Sequence, residues 1–394
     1  MSGPLKGTRV LDLTRVLAGP FATQILADLG AEVIKVERPG TGDDTRSWGP
    51  PYVKDAQGND TAETTYFVGC NRGKKSVALD LADAPAQTRV RELAGQCDVL
   101  IENYKVGDLA RYGLDYPSLH TLYPGLIYCS ITGFGQTGPY AERAGYDPIA
   151  QAMCGMMSVT GEAEDKPGTT PQRAGVAVVD LMAGHYSVIG ILAALLHRKQ
   201  TGEGQHIDIG LLDVAVASMA NISSAYLGAG VVSTRNGGVH PSVVPSQVFE
   251  CADGYVIVAA ANDVQFRKLC EAAGRPEFAQ DKRFATNSAR VRHRAIISPL
   301  LEAIFRTRPV ADWTESLAKV GVPCGPIHSI DKVFDDPQVR ARGMVVEVPY
   351  APAGSLKMTA SPIRMSATPT VCDRPPPLLG EHQEEIFRQP GNTR

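Results

Sequence analysis

Thr8-Arg-Val-Leu-Asp-Leu-Thr-Arg-Val-Leu-Ala-Gly-Pro-Phe-Ala-Thr-Gln-Ile-Leu-Ala-Asp-Leu-Gly-Ala-Glu-Val-Ile-Lys-Val-Glu37 is the stretch from which the fold is read. Residues 8–14 are a short β-rich run, residues 21–30 read as a helix closed by Gly30, and residues 31–37 are β-rich again. A β-α-β opening of this kind predicts an α/β fold with a mostly parallel, doubly wound sheet. Its first corner, Leu17-Ala-Gly-Pro20, lacks Gly-x-Gly-x-x-Gly and so carries no dinucleotide fingerprint. The backbone N–H groups at that helix start could receive a phosphate or a thioester oxygen, and a plain tight turn fits the same residues.

Further strands are expected at residues 76–80, 98–102, 125–131 and 205–210, with helices near 87–94 and 107–112 between them. A helix from Leu212 to about Leu227 leads away from this large, Rossmann-like domain, placed at residues 1–225. Residues 226–245 read as a Gly/Ser/Val/Pro-rich linker. Residues 246–335 read as a smaller α+β domain that opens with a hairpin turning at Asp253-Gly254. Residues 336–394 are too few for a third core and are expected to return to the large domain or to a partner subunit.

Apolar residues make up 43% and charged residues 21%, and the net charge is −3, so neither a nucleic-acid footprint nor a basic membrane-binding patch is present. Eight scattered cysteines with no Cys-x-x-Cys pair suggest free thiols, without a zinc site or a disulfide framework. The first residues show neither an apolar export segment nor an Arg-rich leader, so a cytoplasmic location is the expectation. The longest apolar run, Leu181–Leu196, reads as a core helix too short for a bilayer.

Within Arg173-Ala-Gly-Val-Ala-Val-Val-Asp-Leu-Met-Ala-Gly184, Asp180 is a lone carboxylate between apolar runs. A charge there is costly unless it is paired, capping or reactive. On local pattern it reads first as the N-cap of the following helix, with a reactive carboxylate as the alternative. Cationic residues gather at Arg38 and Arg46 in a long Gly/Pro loop, and in Asn71-Arg-Gly-Lys-Lys75 just before a strand. Such positions suit an anionic ligand, although a solvated charged turn fits them too. The glycine-rich loop at residues 131–140 lacks the Lys-Ser/Thr of a P-loop.

Taken in order, Val16-Leu-Ala-Gly-Pro20, Glu32-Val-Ile-Lys-Val-Glu-Arg38, Glu102-Asn-Tyr104, Arg143-Ala-Gly-Tyr-Asp147, Asp180, Thr201-Gly-Glu-Gly204, Gly321-Val-Pro-Cys-Gly-Pro326 and Pro377-Leu-Leu-Gly-Glu-His382 resemble the class III coenzyme A transferases, the CaiB/BaiF family. The likeness spans nearly the whole chain. Asp43-Asp-Thr-Arg-Ser-Trp-Gly-Pro-Pro51, Asn71-Arg-Gly-Lys-Lys-Ser76 and Arg374-Pro-Pro-Pro-Leu-Leu-Gly380 look like its succinyl-CoA:glutarate branch. The resemblance implies that Asp180 is the nucleophile, that acyl-CoA and a carboxylic acid are the substrates, that no cofactor or metal is held permanently, and that the protein is an interlocked homodimer. It places CoA along Leu17, Ala18, Arg38, Leu79, Asn103, Tyr104, Lys105, Arg111, Ala144, Gly145, Tyr146 and Asp147.

Departures are visible as well. Some CoA-binding lysines of formyl-CoA transferases fall on Ala82 and Ala144, and the tetraglycine loop of those enzymes is replaced by Asn236-Gly-Gly-Val-His-Pro241, which argues against formyl-CoA and oxalate. The family's racemases use a histidine where this chain has Tyr146. A phenol with an ordinary pKa of about 10 cannot replace it as a base near neutrality. A racemase and a non-catalytic CoA-binding protein are the alternative readings. A dicarboxylic acceptor would need a cation for its distal carboxylate, and Arg46, Arg72 and His240 are the candidates.

Overall fold

The computed structural model describes residues 3–387. The chain divides into two compact units, one comprising the chain up to Met156, Ala174–Ala229 and the chain from Pro337 on, the other comprising Met157–Arg173 and Gly230–Asp336. This differs from the linear division expected from sequence. Residues 157–173 leave the first stretch for the smaller unit, and residues 230–245, read as a linker, belong to that unit as well. Composition alone marks Gly/Pro-rich chain as connecting. Here Val244 is buried in the smaller unit's core and His240 pairs its N–H with the carbonyl of Ser246.

The larger unit is built on six parallel strands: β1 (Arg9–Asp12), β2 (Glu32–Glu37), β3 (Lys74–Ala78), β4 (Val99–Glu102), β5 (Ile127–Thr132) and β6 (His206–Gly210). Their order is β3-β2-β1-β4-β5-β6, and every neighbouring pair is parallel. The central strands are buried on both faces, as helical crossovers require. Val10, Val33, Val99, Ile101, Ile127 and Ile131 pack on one face with α1 (Ala18–Asp28) and α5 (Val178–Thr201). Leu11, Leu13, Ile34, Val77, Leu100 and Tyr128 pack on the other with α2 (Ala84–Ala94) and α3 (Tyr116–Leu122). The strand order reverses between β1 and β4, and ligands of open α/β sheets bind outside the strand C-termini at such a point.

Two expectations about helices are corrected. Helix α5 runs for 24 residues, so by length and composition it could cross a membrane; the argument that it was too short fails because the helix continues through Arg198 and Lys199. Its small face, Ala183, Gly184, Ser187 and Ala194, is what places it in the core against α1 and the sheet. The single helix expected over 212–227 is two, α6 (Leu211–Ser218) and α7 (Ala220–Ala229), bent by 73° where Ala220 takes a φ of 40°.

The C-terminal stretch lies against the larger unit. Gly380 donates its N–H to Ser76 Oγ at 2.9 Å, His382 N–H reaches the Ser76 carbonyl at 2.9 Å, and Val371 N–H reaches the Asp28 carbonyl at 2.7 Å. Strands Val345–Tyr350 and Gly354–Thr359 form a hairpin here. Within the smaller unit, Ser246–Glu250, Tyr255–Ala259 and Cys324–Pro326 form an antiparallel sheet. Its core is built around Phe249, Phe266, Phe305 and Trp313.

Candidate active site

The site forms where α1 and α5 start side by side. Gly184 stands one turn beyond Asp180 on the same face of α5, and a Cβ there would come within 2.9 Å of the Ala18 carbonyl oxygen. Glycine therefore permits the close approach that sets Asp180 over the N-terminus of α1. Asp180 is not the N-cap. The cap position is Ala177, which has no side-chain acceptor, and the capping carboxylate comes from another helix, α4 (Asp147–Met153). Asp147 accepts the N–H of Val179 at 2.8 Å and that of Asp180 at 3.4 Å, and also takes a hydrogen bond from Gln151. With the orphan donors of the first turn satisfied from outside, the carboxylate of Asp180 is left uncommitted.

Asp180 lines a cavity of about 260 Å³ together with Leu17 and Ala18 from the β1–α1 corner, Asn103, Tyr104 and Lys105 from the end of β4, and Ala144, Gly145 and Tyr146 ahead of α4. Gly133 and Gly145 pack backbone to backbone, a Cβ on either falling 2.5 Å from the other's Cα, which holds the 144–146 turn against the end of β5. A second cavity of about 270 Å³, lined by Arg38, Leu79, Ala82 and Arg111, shares Arg15, Asp44, Tyr104 and Asp108 with the first. The two make a continuous run at the topological switch point, from two exposed arginines at one end to a carboxylate at the other.

The electrostatics suit a reactive acid. Burial, and then the charge of Asp147, push the Asp180 carboxyl up to about 7. Burial, and then the charge of Asp180, push the phenol of Tyr66 up to about 12, so that side chain stays neutral. Tyr66 packs edge-on against Trp48, with ring centroids 5.1 Å apart.

The structure brings together most of the sequence-derived site residues and removes others. Leu17, Ala18, Asn103, Tyr104, Lys105, Ala144, Gly145 and Tyr146 line the first cavity, and Arg38, Leu79 and Arg111 line the second. Asp147 lines neither; it is buried as the cap described above. The amide of Asn103 accepts the Arg15 N–H at 2.9 Å and donates one N–H to the Arg15 carbonyl at 2.7 Å, so it shapes the wall and keeps a second N–H for a ligand.

The proposed carboxylate-binding arginines are corrected too. Arg46 forms a bidentate pair with Glu37 at 2.8 and 2.9 Å, donates to the Pro377 carbonyl and lies 3.6 Å over the ring of Phe67. Arg72 is buried, holds Asp28 through Nε at 2.8 Å and donates to the Thr359 carbonyl. Lys74 and Lys75 are likewise paired, with Asp12 and with Glu32 and Glu385. Each of these four cations meets a carboxylate of the same chain, and sequence spacing could not distinguish that from a ligand contact. His240 belongs to the smaller unit and accepts the Ser242 N–H on Nδ1. The cations that do line the first cavity are Arg15, Lys105 and Arg143, and the Nε of Arg15 is buried without a partner. Arg15 carries no motif of its own and was missed.

The chain matches the family described as CoA-transferase family III over residues 5–383. It is 49% identical over 386 residues to the succinate–glutarate CoA-transferase of Agrobacterium fabrum, covering 98% of this chain and 95% of that one. It is 43% identical to the human succinyl-CoA:glutarate CoA-transferase, covering 98% and 86%. The crystal structure of a CAIB/BAIF family protein from Brucella suis superposes with a TM-score of 0.87 at 47% identity, covering 98% of this chain and 99% of that one.

Proposed function

The chain belongs to CoA-transferase family III and is a CoA-transferase, and from that footing we propose that it moves CoA from succinyl-CoA to glutarate through a thioester on Asp180. The observation that carries this reading is a carboxylate with no committed partner, placed at the start of two helices in a cavity that shares its wall with a second, arginine-lined one.

In the first step an Asp180 oxygen attacks the thioester carbonyl of succinyl-CoA. The carbon–sulfur bond breaks, leaving a succinyl–aspartyl anhydride and CoA thiolate. The thiolate then attacks the aspartyl carbonyl, expelling succinate and leaving an aspartyl–CoA thioester. A glutarate carboxylate attacks that thioester and expels the thiolate, and the thiolate takes the glutaryl group from the second anhydride, restoring the Asp180 carboxylate. No water is consumed, and the buried Val179 and half-buried Leu181 beside the nucleophile help to keep water out.

CoA lies with its phosphates toward Arg38 and Arg111 and its thioester toward Leu17 and Ala18. The distal carboxylate of a dicarboxylic acid meets one of Arg15, Lys105 and Arg143, the cations of the first cavity. Tyr146, on the wall of that cavity, leaves it without the imidazole that a racemase would need. The protein acts as a homodimer in the cytoplasm. Helices α5 and α7 support the dimer by exposing Ile189, Leu196, Tyr226 and Leu227 on a single chain, with Leu227 at 82%.

The test is an acceptor panel with succinyl-CoA as donor: glutarate, hydroxymethylglutarate, malate, itaconate, mesaconate, oxalate and butyrate. Glutarate should give the highest kcat/KM, and a preference for butyrate would overturn the dicarboxylate reading.

A further inference from the structure

The corner between β1 and α1 contains a residue that should not be comfortable there. Val16, a β-branched side chain on the wall of the Asp180 cavity, has a φ of 72°. A left-handed conformation at such a residue is strained and persists only where the surroundings impose it. They do so here through buried charge. Asp43 Oδ1 accepts the Val16 N–H at 3.2 Å, and the Lys35 ammonium, 2.9 Å from Asp43 Oδ2, donates to the Thr14 carbonyl at 2.7 Å.

Both partners of that pair are fully enclosed. Burial works against the charge of Lys35, but Asp43, Asp12 and Glu37 keep the ammonium on, and Lys35 in turn holds Asp43 below the ordinary carboxylate range against its own burial. A second enclosed pair, Lys74 and Asp12 at 3.1 Å, fastens the far side of the corner. Asp12 accepts the Thr14 N–H at 2.9 Å, and Lys74 donates to the Pro20 carbonyl at 2.9 Å. Asn103 clamps Arg15 between them.

Taking an ion pair out of water is expensive, and an apolar pair of the same size would often serve stability as well. What the charges supply is direction. The residues immediately after Val16 are Leu17 and Ala18, whose N–H groups head α1 without intrahelical acceptors and share the cavity with Asp180.

We propose that the enclosed Lys35–Asp43 pair is a positioning device for the transfer reaction: it holds Val16 in its left-handed conformation so that the N–H groups opening α1 point at the oxygen that becomes negative when Asp180 attacks. Both residues stand in the wall of the second cavity, but their side chains are fully enclosed and paired with each other, so they act on the corner and not on the reacting atoms. Their effect is on the barrier of the acyl-transfer steps and not on the affinity for CoA. This rests on the thioester chemistry proposed above.

The experiment measures thioester formation from succinyl-CoA in a single turnover, together with KM for the donor and thermal unfolding. Replacing Lys35→Met and Asp43→Leu together removes both charges and leaves no uncompensated ion. The double variant should form the thioester roughly 100-fold more slowly, the loss typical of a misplaced oxyanion donor, with donor KM within about threefold of wild type. Adding Val16→Gly should restore about tenfold, because glycine adopts a positive φ without strain even when the pair is gone. A merely structural role would not produce that rescue.

If the double variant does not fold, Val16→Pro, which fixes φ near −65° and deletes the donated N–H, should show the same kcat loss with the same unchanged KM. Wild-type rates in the folded double variant or in the proline variant, or failure of glycine to restore any activity to the double variant, would overturn the inference. If wild-type protein forms no thioester at all, the underlying mechanism fails and this inference falls with it.

Discussion

Asp180 shows how one residue can be misread and still be the right one to notice. Its position before an apolar helix suggested a cap, yet the cap is Asp147, from a motif that the family likeness had assigned to CoA. The sequence could not reveal this, because the two aspartates are 33 residues apart and only folding brings one to the other's backbone. Their proximity and burial fix a pH dependence. The Asp180 carboxyl is raised to about 7 from an ordinary value of 3.8, so the nucleophilic form accumulates as pH rises through that value. The kcat/KM for succinyl-CoA should therefore rise from pH 5.5 to 8 along a limb near 7, and Asp147→Asn, which keeps a capping oxygen but removes the charge, should move that limb to lower pH. A flat profile across this range would be inconsistent with the assignment. The same shift has a stability sign. A raised folded pKa favours the native state below the unfolded value and loses that stabilisation as pH climbs through about 7, so Asp180→Asn should raise the melting temperature more at pH 8 than at pH 5. Arg46 and Arg72 teach the converse lesson, since their sequence surroundings looked like a ligand site while their partners, Glu37 and Asp28, are internal. Replacing either arginine by alanine leaves a buried carboxylate unpaired and should cost about 3–5 kcal/mol in denaturant unfolding, with the wild-type preference for glutarate over butyrate unchanged in the activity that survives.

At the scale of elements, the parallel sheet was legible because period, glycine closure and β-branched runs repeat from Thr8 to Gly210, and strand register then follows from burial on both faces. Helix ends were less legible. The break at Ala220 falls between Ser218 and Asn221, where no proline or glycine announces it. The contact that makes the site was also hidden, since Gly184 reads as an ordinary small residue in a helix. Because its missing Cβ would sit 2.9 Å from a backbone oxygen of α1, Gly184→Ala must push the two helices apart. The expected cost is about 1–3 kcal/mol, in contrast to the usual gain from replacing a helical glycine. The loss in transfer rate should exceed what that destabilisation explains, and an alanine variant as stable and active as wild type would show that the approach is not needed.

At the scale of the whole molecule, what sequence could not supply was interleaving. Chain order suggested consecutive domains with only the stretch from residue 336 on coming back, whereas residues 157–173 also leave the larger unit. Such returns depend on partners far away in sequence, such as Ser76 for Gly380, which no local pattern encodes. The apolar residues that α5 and α7 expose predict a second copy of the chain. Sedimentation at micromolar concentration should give twice the chain mass, and a monomer at that concentration would contradict the dimer. The central claim concerns the transfer itself, and the most direct measurement is made on the intact protein incubated with succinyl-CoA and no acceptor, then digested and weighed. The account predicts a peptide containing Asp180 that carries the mass of CoA in thioester linkage, is cleaved by hydroxylamine, disappears when glutarate is added and is absent from Asp180→Ala. Full transfer activity with Asp180 unmodified, or the adduct on any other residue, would contradict it.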